Sequence, residues 1–153
     1  MTVAVEILCL VPAHTRALGR FFAQIAGDPK SSNFHPHPFS DLEAKRICNH
    51  TGRDRYVGLC HGDEFFGYGM LRGWDDGFSV PSLGIYVAPE LRGTGAARLL
   101  MHHLHLIARL SGATQIRLKV YRENAAAYKL YESMGYLFSD SNEPTQLVGI
   151  LSF

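Results

Sequence analysis

The chain has 153 residues, of which 46% are hydrophobic and 19% charged, a balance that suits one globular domain with a sizeable core and excludes disorder or low complexity. Lys and Arg number 15 against 14 Asp and Glu, so the basic excess expected of a nucleic-acid or membrane-surface binder is missing. Cys9, Cys48 and Cys60 share no C-x-x-C spacing and read as small buried hydrophobes of a reducing compartment.

Thr2 to Leu10 alternates as a first strand, with Val3, Val5, Ile7 and Cys9 on one side. Pro12 can begin a helix, in which Leu18, Phe21, Phe22 and Ile25 recur at helical spacing until "GDP", Gly27 to Pro29, stops it. Ser40 and Glu43 make a capping-box pattern that opens a second helix from Asp41 to about His50, closed by Gly52. Two strands joined by a turn at His61 to Glu64 follow, and "DDG", Asp75 to Gly77, turns into a third through "SLGIYV", giving an antiparallel meander. Beyond Pro89 the period changes: Ala97, Leu100, Met101, Leu104, Ile107 and Ala108 form one face of an amphipathic helix ended by Gly112. "QIRLKV" is a strand, Asn124 to Met134 a helix closed by Gly135, and "YLF" and "TQLVGILSF" are the last strands. No secretory leader and no apolar run long enough to span a bilayer is seen, so residues 1–153 are expected to be one cytoplasmic domain with no membrane partner.

The chemistry concentrates in "LGIYVAPELRGTGAARLL", Leu83 to Leu100. A strand runs into a loop of small residues, Arg92-Gly93-Thr94-Gly95-Ala96-Ala97, that opens the amphipathic helix, where unpaired amides favour an anion such as phosphate. No Lys-Ser or Lys-Thr follows the second glycine, and there is no third glycine of a dinucleotide fingerprint.

With "VYRENAAAYKLYESMGYLF" one strand later, this stretch resembles the GNAT superfamily of N-acetyltransferases. Arg92, Gly95 and Ala97 match the donor-binding motif, and Asn124, Tyr131, Gly135 and Tyr136 match the one after it; the resemblance is strong from Gly67 to Phe138 and only in outline over residues 11–55. It implies an α/β fold, a single domain whose mixed, mostly antiparallel sheet is flanked by helices and has splayed central strands, Leu83 to Val87 and Ile116 to Val120. It also implies acetyl-CoA as co-substrate and no metal. The pantetheine arm is then expected along Ile85, Tyr86 and Val87, the pyrophosphate on Arg92 to Ala97, and Asn124 and Tyr131 beside the donor. In such enzymes an amine attacks the thioester directly within a ternary complex, a backbone N–H near Val87 steadies the oxyanion, and Tyr131 looks like the general acid for the leaving thiolate.

Many members carry a carboxylate on the fourth strand as base. Pro81 to Tyr86 contains none, which leaves another residue, a water chain, or an acceptor amine of low pKa. Amino groups on sugar rings are of the last kind. Asp75 and Asp76 read more readily as a solvated turn.

"NFHPHPF", Asn33 to Phe39, falls where family members cover the acceptor side of the cleft. Two histidines are too few for a closed metal site. The prolines stiffen the segment, so Phe34, His35 and His37 read as the lip of an acceptor pocket, with His37 a candidate base, and Arg72 and Trp74 are further candidates for acceptor contact. His102, His103 and His105 read as a solvated helix face.

These readings point to an acetyl-CoA-dependent N-acetyltransferase acting on a primary amine of a small molecule, with an amino sugar or nucleotide-linked amino sugar ahead. Acetylation of a protein N-terminus or lysine, and a non-catalytic acyl-CoA-binding regulatory module, are the alternatives. Leu147 to Phe153, taken as an exposed late strand, is a possible homodimer edge.

Overall fold

The computed structural model describes residues 4–153, so Thr2 and Val3 of the expected first strand lie outside the described residues. Strands β1 (Glu6–Cys9), β2 (Arg55–His61), β3 (Glu64–Arg72) and β4 (Ser82–Val87) follow one another antiparallel. With β5 (Gln115–Tyr121), β6 (Leu137–Asp140) and β7 (Gln146–Ser152) they form a sheet in the order β1-β2-β3-β4-β5-β7-β6. The flanking helices are α1 (Thr15–Gly27), α2 (Asp41–Cys48), α3 (Ala96–Leu110) and α4 (Ala125–Ser133). This is the expected α/β architecture, and among the described residues only the β4–β5 pairing is parallel.

Strand alternation divides the interior into two cores. Tyr56, Tyr68, Met70 and Tyr86 face α1 and α2, where they meet Leu18, Phe21, Phe22, Ile25, Ala44 and Ile47. Val57, Leu71 and Leu83 face the other way, towards Leu100, Met101 and Leu104 of α3. Phe22 and Leu104 are fully buried; each such side chain contributes roughly 2 to 3 kcal/mol of apolar burial.

Local chemistry explains the helix ends. Pro12–His14 is a 3-10 turn, and the α-helix proper starts at Thr15. Ser40 Oγ accepts from the Glu43 amide at 3.1 Å, as the capping pattern predicts, but the Glu43 carboxylate takes the Arg46 guanidinium instead of reaching back to the cap. The helix also stops earlier than expected. It ends at Cys48 because the Asn49 amide side chain donates to the Lys45 carbonyl at 2.7 Å, so Gly52 has no part in closing it.

Three other expectations change. Cys9 is exposed at the β1 edge of the sheet, whereas Cys48 and Cys60 are buried, and all three are free. β7 is paired on both sides, with β5 and β6, so Leu147 to Ser152 has no free edge on which a second copy could add. His105 is buried within α3, its Nε2 2.8 Å from the Tyr136 hydroxyl. It lies one turn after Met101 on the core face, a position that hydropathy alone assigns to solvent.

Candidate active site

β4 and β5 touch at one register position, Ser82 opposite Arg117, with the Arg117 amide donating to the Pro81 carbonyl at 3.0 Å. Beyond it the two strands separate. Which main-chain groups of β4 face this seam follows from the ladder with β3. The Ala88 amide donates to the Phe66 carbonyl at 2.7 Å, so Val87 and Gly67 are a non-hydrogen-bonded pair and the N–H and C=O of Val87 turn away from β3. Ile85, opposite Gly69, is turned the same way by alternation. Tyr86 is not: its main chain pairs with Tyr68, which removes it from the expected trio of donor contacts.

The loop after β4 is built for a backbone approach. Gly93 and Gly95 have φ of 77° and 92°, the left-handed region. No atom lies near where a side chain would project from either, so it is conformation, and space for something outside the chain, that requires glycine. The Thr94 amide closes back on Leu91, and the Ala96 amide is weakly held by Thr94 Oγ1 at 3.4 Å. Among the described residues the amides of Gly93, Gly95, Ala97 and Arg98 donate to no acceptor. Free amides at the positive end of a fifteen-residue helix fit a pyrophosphate.

Arg92 folds back from this loop. Its Nε donates to the Val87 carbonyl at 3.3 Å, a terminal nitrogen donates to Asp28 Oδ2 at 2.7 Å, and its guanidinium lies 5.6 Å from the Tyr86 ring centre. The Tyr86 hydroxyl donates to the same carboxylate oxygen at 2.6 Å. These bonds hold Asp28 down at about pKa 2, the Tyr86 hydroxyl being the largest cause. Sequence reasoning missed Asp28 because "GDP" was legible only as a helix stop.

Tyr131 and Ile85 border the same core, on the α3 side of the sheet. The Tyr131 ring lies 5.9 Å from that of Tyr136, and burial pushes its hydroxyl up to about 12. No hydrogen bond within the described residues engages that hydroxyl, so it is a protonated donor without a fixed partner. Asn124 caps α4, its Oδ1 accepting from the Ala127 amide at 3.3 Å.

The acceptor-side residues divide. Phe34, His37 and Phe39 close over Tyr68 and Tyr86 on the opposite face: Phe34 stacks on Phe39 and on Tyr86, with ring centres 5.8 and 6.1 Å apart. His37 Nδ1 donates to the Pro38 carbonyl at 2.7 Å, so in the neutral ring Nε2 accepts the buried Tyr68 hydroxyl at 2.9 Å. Burial lowers the His37 pKa. Its one lone pair is thus committed, and His37 is a pin for the segment rather than an open base. His35 is exposed, and among the described residues its side chain forms no hydrogen bond.

Arg72 donates to the Pro36 carbonyl at 2.8 Å and belongs with the pinned segment. Trp74 does not. Two residues beyond Arg72 but past the turn at Gly73, it is buried in the α3-side core with Leu71 and Leu100 and cannot meet an acceptor beside His37. Asp75 is a loop brace, accepting the Arg53 and Asp54 amides at 2.6 and 3.3 Å. Among the described residues no cluster of three His, Cys, Asp or Glu is placed to hold a metal, and no helix is long and apolar enough to cross a membrane.

Over 76 residues the chain is 36% identical to an uncharacterised N-acetyltransferase of Mycobacterium tuberculosis, a stretch that is 50% of this chain and 48% of that protein. The chain thus spans about half the length of the curated relatives it matches. The fold is similar to the GNAT domain of Streptomyces lividans PAT, with a TM-score of 0.82, 18% identity, and coverage of 97% of this chain and 90% of that one. It is also similar to the PaiA N-acetyltransferase of Thermoplasma acidophilum, solved in complex with coenzyme A, with a TM-score of 0.75, 16% identity, and coverage of 98% and 99%. The splayed parallel pair, the free amides at the head of α3 and a match of residues 20–136 to the acetyltransferase (GNAT) family agree, and the chain belongs to that family.

Proposed function

We propose that residues 1–153 act as one domain that transfers an acetyl group from acetyl-CoA to a primary amine of a small molecule, with an amino sugar or nucleotide-linked amino sugar as the favoured acceptor. The observation that carries this reading is the open β4–β5 seam leading into a loop whose amides have no acceptor. The Ile85 and Val87 main chains present one N–H and one C=O each to an extended amide-bearing arm, as an added strand would. The Gly93, Gly95, Ala97 and Arg98 amides suit the pyrophosphate that follows such an arm. Acetyl-CoA supplies the activated thioester.

The chain's own residues then divide the work. The Ile85 N–H, turned into the seam and farther than Val87 from the pyrophosphate loop, donates to the oxygen on which negative charge develops. Tyr131 delivers a proton to the departing sulfur; its raised pKa keeps the hydroxyl protonated at neutral pH. β4 carries no carboxylate and His37 has no free lone pair, so an amine that is already largely neutral at the working pH asks least of this site. That favours a sugar amine over lysine.

The test is release of CoA thiol from acetyl-CoA against separate pools of amino sugars with their nucleotide forms, polyamines and amino acids, and peptides. Turnover in the sugar pool is expected. Turnover confined to peptides overturns the small-molecule assignment, and acetyl-CoA binding with no turnover in any pool favours the regulatory-module reading.

A further inference from the structure

The sheet register brings together three polar side chains to which the chemistry above gives no joint role. Arg72 on β3 lies opposite Ser82 on β4, and Ser82 lies opposite Arg117 on β5. Directly paired residues point to the same face. Arg72 is on the α1 side, since it reaches the Pro36 carbonyl, and Arg117 is on that side too, because its neighbours Ile116 and Leu118 are buried in the opposite core.

Over this half of the sheet, among the described residues, neither buried core extends across that face. Arg117, Tyr121, Val148 and Ile150 line it and belong to neither buried core. Arg117 is half-buried, yet among the described residues its guanidinium makes no hydrogen bond and no ion pair. Arg72 commits one donor to Pro36, and the Ser82 hydroxyl has no partner among the described residues. The carboxylate acting on Arg72, Glu43, is held by Arg46, while Lys119 on the open face is paired with Glu143 at 3.3 Å. Two arginines flanking a hydroxyl, with donors that no carboxylate of the described residues holds, match the chemistry of a phosphate.

We infer that Arg72, Ser82 and Arg117 form an anion subsite for the acceptor, and that the acceptor is an amine carrying a phosphate. This rests on the transferase reading proposed above. Arg72 and Arg117 are two strand spacings apart, about 10 Å between backbones, a gap that long side chains close over Ser82. Along β4, Ser82 lies three residues from Ile85, again about 10 Å, so phosphate and reacting amine stand at opposite ends of a sugar-sized skeleton. An α-amino acid, with its amine and carboxylate on neighbouring atoms, is too short to reach both.

The experiment compares glucosamine, glucosamine 6-phosphate and the corresponding 6-carboxylate as acceptors, and measures binding of each by calorimetry with CoA present. The phosphate compound is expected to exceed glucosamine in kcat/KM by roughly 10-fold or more, and Arg117→Gln to lower it to the level of glucosamine while the Kd for acetyl-CoA stays as in the wild type. Arg117→Lys, which keeps the charge without the fork, should retain part of the preference and controls for folding. Equal use of the neutral and phosphorylated sugars, or an unchanged preference in Arg117→Gln, overturns the subsite, and a preference for the carboxylate overturns its assignment to phosphate. If acetyl-CoA does not bind the wild type, the transferase reading fails, and calorimetry with glucosamine 6-phosphate alone, wild type against Arg117→Gln, still decides the subsite.

Discussion

Tyr131 holds its proton because it packs, partly buried, against the α3-side core, and that sets an observable limit. A general acid must be protonated to act, and a hydroxyl with a pKa of about 12 remains so through neutral and mildly alkaline pH. The expected kcat therefore rises as the acceptor amine loses its proton and then stays level, with no alkaline fall below about pH 10. Tyr131→Phe should lower kcat by about 100-fold or more with little change in the Kd for acetyl-CoA. His105 makes the complementary prediction for stability. Burial lowers its pKa from 6.5 to about 4, with His102 adding repulsion. Above pH 6.5 the ring is neutral whether folded or unfolded, and its contribution is complete; as pH falls from 6.5 to about 4 the unfolded chain takes up the proton first and that contribution is lost. The urea midpoint should fall across this window, and less steeply in His105→Leu, where neither state titrates.

At the scale of elements, the loop between β4 and α3 depends on two left-handed glycines. Replacing Gly95, with φ of 92°, by alanine imposes about 1 to 2 kcal/mol of backbone strain without meeting any atom. The chain answers by moving the amides, so Gly95→Ala should weaken acetyl-CoA several-fold by calorimetry while leaving acceptor KM nearly unchanged. The capping residue of α2 tests a different property. Ser40 holds the Glu43 amide, and Glu43 holds Arg46, so Ser40→Ala should cost about 1 kcal/mol in urea unfolding. Elements such as these were legible in the sequence because their signals are local: the glycine pair, the Ser40 cap, the helical period from Ala97 to Ala108. His105 was not, since an imidazole scores as polar wherever the helix turns it. Trp74 was misplaced because a turn between it and Arg72 undoes the simple alternation of a strand.

Across the whole molecule, Asp28 ties the end of α1 to β4 and to the loop at the head of α3, through Tyr86 and Arg92. The carboxylate, lowered to about 2 from 3.8, stabilises the fold fully above pH 3.8 and loses that contribution as pH falls through about 2. Asp28→Asn should lower stability at pH 7 by about 1.5 to 3 kcal/mol and flatten the acid limb of unfolding, measured by urea titration at several pH values. Arg92 also donates to the Val87 carbonyl that faces the seam, so an arm seated there must displace that bond. The same variant, which frees the guanidinium, should therefore change the association rate of acetyl-CoA.

Sequence alone determined the order and type of the elements, the family resemblance and the place of Tyr131 on its helix, because hydrophobic period, caps and glycine conformation act over a few neighbouring residues. It also supplied the histidine segment, but not its state. Only the tertiary structure decided that His37 gives its lone pair to Tyr68, that β7 is interior, that Asp28 meets Arg92, and that Arg72, Ser82 and Arg117 stand side by side. Each of these joins residues far apart in the chain, and strand register and packing, which no local signal encodes, bring them within reach.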